Sequence, residues 1–233
     1  MQVLVVTTTS VDNGCVTERV GYRITPRPGA SILPGRRRGN LMRWSLVRPD
    51  VVAYRPSWAI EADGLMVLMR AELGDLAARI DHIGSTAIPE MASRDVLDLQ
   101  ISVGDLDTAE RLSCPTFESL GFELSPIKAD HVPAGRIDDP GLWSKRLWLR
   151  RNPGATDVNL HVRRIGSPNE RLALLFRDWF RMHLEAVVPY GAFKLALSQG
   201  CEDTGTYADM KDPIVDVIMV AAEEWASVVG WQQ

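Results

Sequence analysis

The sequence predicts an α/β (α+β) fold, a small mixed β-sheet packed with helices. Three observations point there: strand-like segments on both sides of a Gly-Ser-Thr turn, two alternating segments further along, and helical periodicity before and after them. The chain has 233 residues, 45% hydrophobic, which is ample for one core without a disulfide or metal staple. The domain is expected over residues 51–229. Residues 1–50 read as an N-terminal extension: VLVVT suits one strand, but TPRPGASILPGRRRGN is Pro-, Gly- and Arg-rich with no period. Arg36-Arg37-Arg38 reads as a solvated linker before it reads as a phosphate contact, and Met42 is an alternative start.

From Ser57, read as an N-cap, Leu65, Leu68, Met69, Leu73 and Leu76 recur at helical steps. ARIDHIGS is a strand ending at Gly84. DVLDLQISV is a second, with Val96, Leu97, Leu99, Ile101 and Val103 on both of its faces. Asp107 and Glu110 open a helix that Pro115 interrupts. Residues 125–143 form a long loop. KRLWLRR and TDVNLHVRR then make two strands joined through Asn152-Pro153-Gly154. The last third is helical. Ser167-Pro168-Asn169-Glu170 gives a capped start, a shorter helix covers Ala192–Gln199, and Asp212-Pro213 begins the last helix.

Charge and cysteine usage narrow the function. Against 30 acidic residues stand 26 basic ones, a net charge of -4, so no extended nucleic-acid surface is expected. Cys15, Cys114 and Cys201 are scattered and odd in number, as reduced thiols in a cytoplasmic protein would be. No apolar run reaches membrane-spanning length, and MQVLVVTTTS lacks the features of a signal peptide.

The chemistry concentrates at HIGSTAIPEMASRDVLDLQISV. Residues two apart on a strand share a face, so Asp98, Gln100 and Ser102 point one way, and Asp157, Asn159 and His161 share a face on the later strand. If those strands are neighbours, both rows meet near Gly84, Ser85 and Thr86. A turn of that kind suits a phosphate oxygen. Mg²⁺ held by Asp98 and Asp157, together with substrate phosphates, would complete a phosphoryl- or nucleotidyl-transfer site, with His161 as a catalytic base. His82, like His161, reads as a general base, a metal ligand or a hydrogen-bonded supporting residue of the core, His183 as structural at a helix C-terminus, and Arg177-Asp178 as an ion pair or helix-to-sheet tether. Arg146 and Arg150 flank Trp148 on one strand face, a combination able to hold a nucleotide by charge and stacking. Arg163, Lys194 and Lys211 are further phosphate candidates. A serine hydrolase fails on motif, since Gly84-Ser85-Thr86 is not G-x-S-x-G.

Gly84-Ser85, a spacer of twelve residues and Asp98-Leu99-Gln100-Ile101 resemble the fingerprint of the DNA polymerase beta-like nucleotidyltransferase superfamily. With Tyr54, Pro56, Trp58, HIGSTAIP, Arg94, NLHV, FRDWFRMH, Tyr190, Lys194, Tyr207, Lys211 and Trp225, the stretch from about Val51 to Trp225 resembles the GrpB family. That family lies within the superfamily and also occurs fused behind some dephospho-CoA kinases. The resemblance implies a nucleotidyltransferase-like fold, a nucleotide or other phosphate-bearing small molecule as partner, and phosphate contacts from Gly84, Ser85, Thr86, Arg94, Lys194 and Lys211. Two departures stand out. Glu90 takes a position where the family usually has Gly, and Gln100 takes the superfamily's second acidic position. A Gln brings no charge to a metal. Two functions are therefore expected to compete: Mg²⁺-dependent nucleotidyl transfer to a small molecule or protein hydroxyl, and a non-catalytic module binding a nucleotide or CoA-type ligand in a regulatory or assembly role.

Overall fold

The structure, a computed structural model, describes residues 2–12, 15–25, 48–151 and 154–233. Arg36-Arg37-Arg38, Met42 and the Asn152-Pro153 pair lie outside the described residues. The chain divides into two compact units, residues 1–40 and 41–233. In the first, β1 (Gln2–Asp12) and β2 (Cys15–Thr25) pair antiparallel. The single strand expected from VLVVT is thus one arm of a longer hairpin, both arms being rich in β-branched residues.

The second unit is built on a five-stranded sheet. Its strands are β4 (Arg79–Ile83), β6 (Val96–Val103), β9 (Asp157–Arg164), β8 (Lys145–Arg150) and β7 (Glu123–Leu124), in that spatial order. The central pair β6–β9 is parallel and the other pairs are antiparallel. A two-residue ladder, β3 (Val51–Val52) with β5 (Ser93–Arg94), stands apart. The sheet has two unlike faces. Leu97, Leu99, Ile101 and Val103 of β6, Val158, Leu160 and Val162 of β9 and Trp148 of β8 form one buried cluster. Against that cluster pack Trp58, Ala62 and Met69 from α1 (Ser57–Leu73) and Ala109 and Phe117 from α2 (Leu106–Ser119). The odd-numbered β6 residues therefore all face this core, rather than being split between two apolar faces. The opposite face carries Asp98, Gln100 and Ser102 beside Asn159, His161 and Arg163, an arrangement that strand alternation requires.

Three helices complete the unit: α3 (Pro168–Met182), α4 (Leu184–Gly200) and α5 (Thr204–Val229). Several expected boundaries move. Ser57 is the first helical residue and Pro56 the cap. The cap of α2 is Asp105, which accepts from the Thr108 amide. Ser167 caps α3 without a side-chain bond to the helix; its hydroxyl donates to Arg164 O, and Glu170 accepts from the Gly166 amide. Pro115, Pro189 and Pro213 all sit inside helices. A proline there costs about 3 kcal/mol. In α5 that cost is offset by burial on both sides of it, Tyr207 before and Met219, Ala222 and Ala226 after. No helix among the described residues is long and apolar enough to cross a membrane.

Glu90 is the only non-glycine with positive φ among the described residues, at 61°. A left-handed residue with a Cβ costs about 1–2 kcal/mol. Glu90→Gly is therefore expected to stabilise the protein by roughly 0.5–1 kcal/mol once glycine's greater unfolded-state freedom is subtracted. A urea midpoint that stays level or falls would show that the glutamate side chain offsets its own strain.

Candidate functional site

A cavity of about 320 Å³ opens between the polar face of the sheet, the loop after β7 and helices α3–α5. That size suits a small molecule. Its floor is Asp98, His161 and Arg163; one rim is Gly84, Ser85 and Thr86; the far wall is Arg94, Lys194 and Lys211; Phe176, Tyr190 and Met219 supply apolar surface.

The turn is braced from both sides. Gly84 adopts φ 69° and ψ −168°, a region essentially reserved for glycine. The absence of a side chain there also lets Asp98 come close: a Cβ on Gly84 would stand 2.6 Å from Asp98 Oδ2. Arg181 of α3 donates twice to Ala87 O, at 3.0 and 2.7 Å. Thr86 Oγ1 lies 2.9 Å from His82 Nε2, so that hydroxyl ties down the turn. Ser85 is half-buried and has no side-chain partner among the described residues.

Asp98 is held as an anion. Burial pushes its carboxyl up, but hydrogen bonds from His161 and Asn159 and the charge of Arg94 outweigh that, and it stays well below the usual carboxylate range. Asn159 Nδ2 donates to Asp98 Oδ1 at 2.8 Å, and Arg151 Nη2 donates to Asn159 Oδ1 at 2.5 Å. His161 Nε2 is 3.5 Å from the same carboxylate oxygen. The other ring nitrogen, Nδ1, faces Lys145 Nζ at 3.4 Å and Arg163 Nη2 at 3.3 Å. Both of those groups only donate, so Nδ1 accepts and Nε2 carries the hydrogen toward Asp98. Burial, Lys145 and Arg163 together lower His161 to about 4, leaving it neutral at pH 7.

Behind the floor is a buried ionic knot. Asp130 accepts from Lys145 Nζ at 2.5 Å, Arg163 Nε at 2.9 Å and Asn169 Nδ2 at 2.9 Å. Arg163 Nη1 donates to Gln100 Oε1 at 2.6 Å, and the Gln100 amide donates to Glu170 O.

This arrangement brings Asp98, His161, Arg94, Lys194, Lys211 and the Gly84–Thr86 turn to one cavity, with Asn159 bonded to Asp98 from outside the lining, and leaves other predicted residues elsewhere. Asp157 does not line it; its carboxylate is engaged by Arg151 at 3.5 Å. Arg146 and Arg150 lie on the opposite face. Arg146 pairs with Asp107 and Glu110 of α2, Arg150 sits over the Phe122 ring at 4.9 Å, and Trp148 between them is fully buried against Phe117. The nucleotide cradle expected from those three residues is therefore part of the α2 side of the fold. His82 is buried beside Leu99 and lowered by burial to about 4. Arg177 pairs with Asp178 at 2.7 Å and reaches Asp81 and His82 O on β4. His183 stacks on Trp179 at 4.5 Å between α3 and α4.

The donors around Asp98 do not fit a magnesium ion. Asn159 Nδ2 and His161 Nε2 present hydrogens, the Gln100 oxygen is taken by Arg163, and Asp157 is turned to Arg151. Among the described residues no three His, Cys, Asp or Glu side chains are grouped as metal ligands. Mg²⁺ prefers oxygen ligands, commonly carboxylates, and here Asp98 is already taken by Asn159 and His161 with the Arg94 charge close by, while Asp130 is taken by Lys145 and Arg163.

The far wall carries three cations that its acidic neighbours reach only through space, Asp98 acting on Lys194 and Asp212, Asp98 and Asp216 on Lys211. Among the described residues Arg94, Lys194 and Lys211 form no ion pair with a carboxylate. Burial, Lys211 and Arg94 lower Lys194 to about 7, and burial also lowers Lys211 despite its neighbour Asp212. Sequence reasoning missed Asp130, His131, Asp212 and Asp216. They lie in an aperiodic loop and on a helix whose course was cut at Pro213, so no local signal marked them.

A family model, GrpB protein, matches residues 48–220. A dephospho-CoA kinase of Mycolicibacterium paratuberculosis is 34% identical over 80% of this chain and 48% of its own length. A UPF0157 protein, BH1888, of Halalkalibacterium halodurans is 30% identical over 74% of this chain and 81% of its own. The chain thus spans about half the length of the kinase-named relatives it matches. The crystal structure of conserved protein GrpB from Enterococcus faecalis is similar with a TM-score of 0.60 and 24% identity, covering 76% of this chain and 99% of that one; at that identity the likeness carries the fold.

Proposed function

The chain belongs to the GrpB family, and from its cavity we propose that the domain binds a phosphate-bearing small molecule of nucleotide or CoA type through fixed cations rather than through Mg²⁺. One observation carries this reading: Arg94, Lys194 and Lys211 converge on one wall of a small-molecule-sized cavity without carboxylate partners. Three buried or half-buried cations crowded together repel one another and cost solvation. A bound phosphate brings negative charge to contact distance, where Asp98, Asp212 and Asp216 act only through space, and accepts the hydrogen bonds of the three cations. Asp98, an acceptor already oriented by Asn159 and His161, takes a hydroxyl or ammonium of the ligand, and Phe176 and Tyr190 offer it apolar surface. The name of the kinase relatives, dephospho-CoA kinase, accords with a phosphate-bearing ligand.

The second reading, nucleotidyl transfer, is favoured by the close approach of Asp98 to the Gly84 turn. Calorimetric titration with ATP and with CoA, each in Mg²⁺ and in EDTA, separates the two. Equal affinity in both media is expected, with Arg94→Ala and Lys211→Ala each weakening binding about 10- to 100-fold, the worth of a charged hydrogen bond. Affinity that requires Mg²⁺ and disappears in Asp98→Asn would replace this reading with transfer.

A further inference from the structure

Lysine is scarce in this chain. It supplies four of 26 basic residues: Lys128, Lys145, Lys194 and Lys211. Only Lys128 is exposed; Lys145 is locked to Asp130, and Lys194 and Lys211 line the cavity. Where arginine does nearly all the surface work, lysine inside a cavity marks a place where an amine differs from a guanidinium. The difference is chemical, because a lysine amine can lose its proton and become a nucleophile.

The surroundings of Lys194 suit that use. Ser93 Oγ donates to Met91 O at 3.1 Å, so the hydroxyl can only accept from Lys194 Nζ, 3.5 Å away. The amine sits over the Tyr190 ring at 5.0 Å, its residue is 2% exposed, and it has no carboxylate partner among the described residues. One N–H is spent on Ser93, while the lone pair of the neutral amine stays free beside the Arg94 and Lys211 charges. That is a nucleophile placed next to an anion site.

We infer that Lys194 is an amine nucleophile toward a carbonyl group of a phosphate-bearing ligand, forming an imine while Arg94 and Lys211 hold the phosphate. The Nζ lone pair adds to the carbonyl carbon, and a carbinolamine forms as one amine hydrogen passes to the carbonyl oxygen. The hydroxyl then leaves as water with the second amine hydrogen, and the nitrogen electron pair closes the C=N bond. Amine and aldehyde give imine and water, and no oxidant or reductant is consumed.

The inference rests on the phosphate-binding reading, and the test keeps the two apart. The probes are pyridoxal 5′-phosphate, pyridoxine 5′-phosphate, which has an alcohol in place of the aldehyde, and unphosphorylated pyridoxal. The whole chain is incubated with each, reduced with borohydride and mapped by mass spectrometry. Pyridoxal 5′-phosphate is expected to label Lys194 at least tenfold faster than the exposed Lys128. The labelling rate should rise through pH about 7, where Lys194 loses its proton. Lys194→Arg should lose the adduct, and wild type labelled by pyridoxal alone should react more slowly. If pyridoxine 5′-phosphate binds but labelling falls on Lys128 or follows a midpoint near pH 10, the nucleophile is overturned and phosphate binding stands. If neither phosphate binds and Lys194 is not labelled, both readings fall. If Lys194→Arg does not fold, the pH profile and labelling ratio of the wild type still decide.

Discussion

Gly84→Ala is expected to destabilise the protein by roughly 2–4 kcal/mol and to abolish ligand binding in the molecules that still fold. Two costs add. At φ 69° and ψ −168° a Cβ is strained wherever it points, a cost of order 1–3 kcal/mol. The new methyl would also stand 2.6 Å from Asp98 Oδ2 and 3.0 Å from Asp98 Cβ, forcing either the turn or the carboxylate aside, and overpacking of that kind costs typically 1–3 kcal/mol. Asp98→Ala removes the carboxylate clash but not the backbone strain. A double-mutant cycle of Gly84→Ala with Asp98→Ala should therefore show a coupling of about 1 kcal/mol or more. Gly104→Ala, where the added methyl meets nothing within 4 Å beyond its own chain neighbours, is the control and should shift the denaturant midpoint little. A near-neutral Gly84→Ala would mean that turn and strand are not in contact, and the site as described would dissolve.

That contact shows where sequence reading reaches its end. Alternation along VLDLQISV and TDVNLHVRR places Asp98, Gln100, Asn159 and His161 in rows, and the parallel pairing of β6 with β9 joins the rows. The same rule groups Arg146, Trp148 and Arg150, yet they point into the α2 side. Alternation says which residues share a face; which face holds the ligand depends on what the helices cover. Asp157 fails differently: it shares the face of Asp98 but sits one step further toward the strand end, opposite Val96, where Arg151 claims it. Lys194 and Lys211 could be named as basic candidates and through the family resemblance but not placed, because α4 and α5 reach the sheet by tertiary packing. The helix limits were obscured by Pro189 and Pro213, whose local penalty the packed helix faces override. Asp130 had no signal at all, lying in a loop with no period.

Asp130 nonetheless supports the second large effect. Asp130→Ala is expected to cost about 3–5 kcal/mol, the loss typical when one member of a buried ion pair is removed. The substitution leaves Lys145 and Arg163, with side chains each 7% exposed, without their shared counter-ion. It also strips an acceptor from Asn169. Burial pushes Asp130 up, but Arg163 and Lys145 outweigh it and hold the carboxyl far below its ordinary 3.8. A depressed carboxyl stabilises the folded state fully above the unfolded pKa, and the contribution is lost as pH falls toward the folded value. The stability gap between wild type and Asp130→Ala should therefore be complete at pH 7 and narrow below pH about 4, as urea titrations at both pH values would show. Binding should move the other way. Removing one negative charge from beside the floor leaves Arg163 and Lys145 free to attract an anion, so the folded fraction of Asp130→Ala should bind phosphate ligands at least as tightly as wild type. Weaker binding by that variant in its fully folded range would mean that Asp130 holds Arg163 in the geometry the ligand needs, and that positioning outweighs charge at this site.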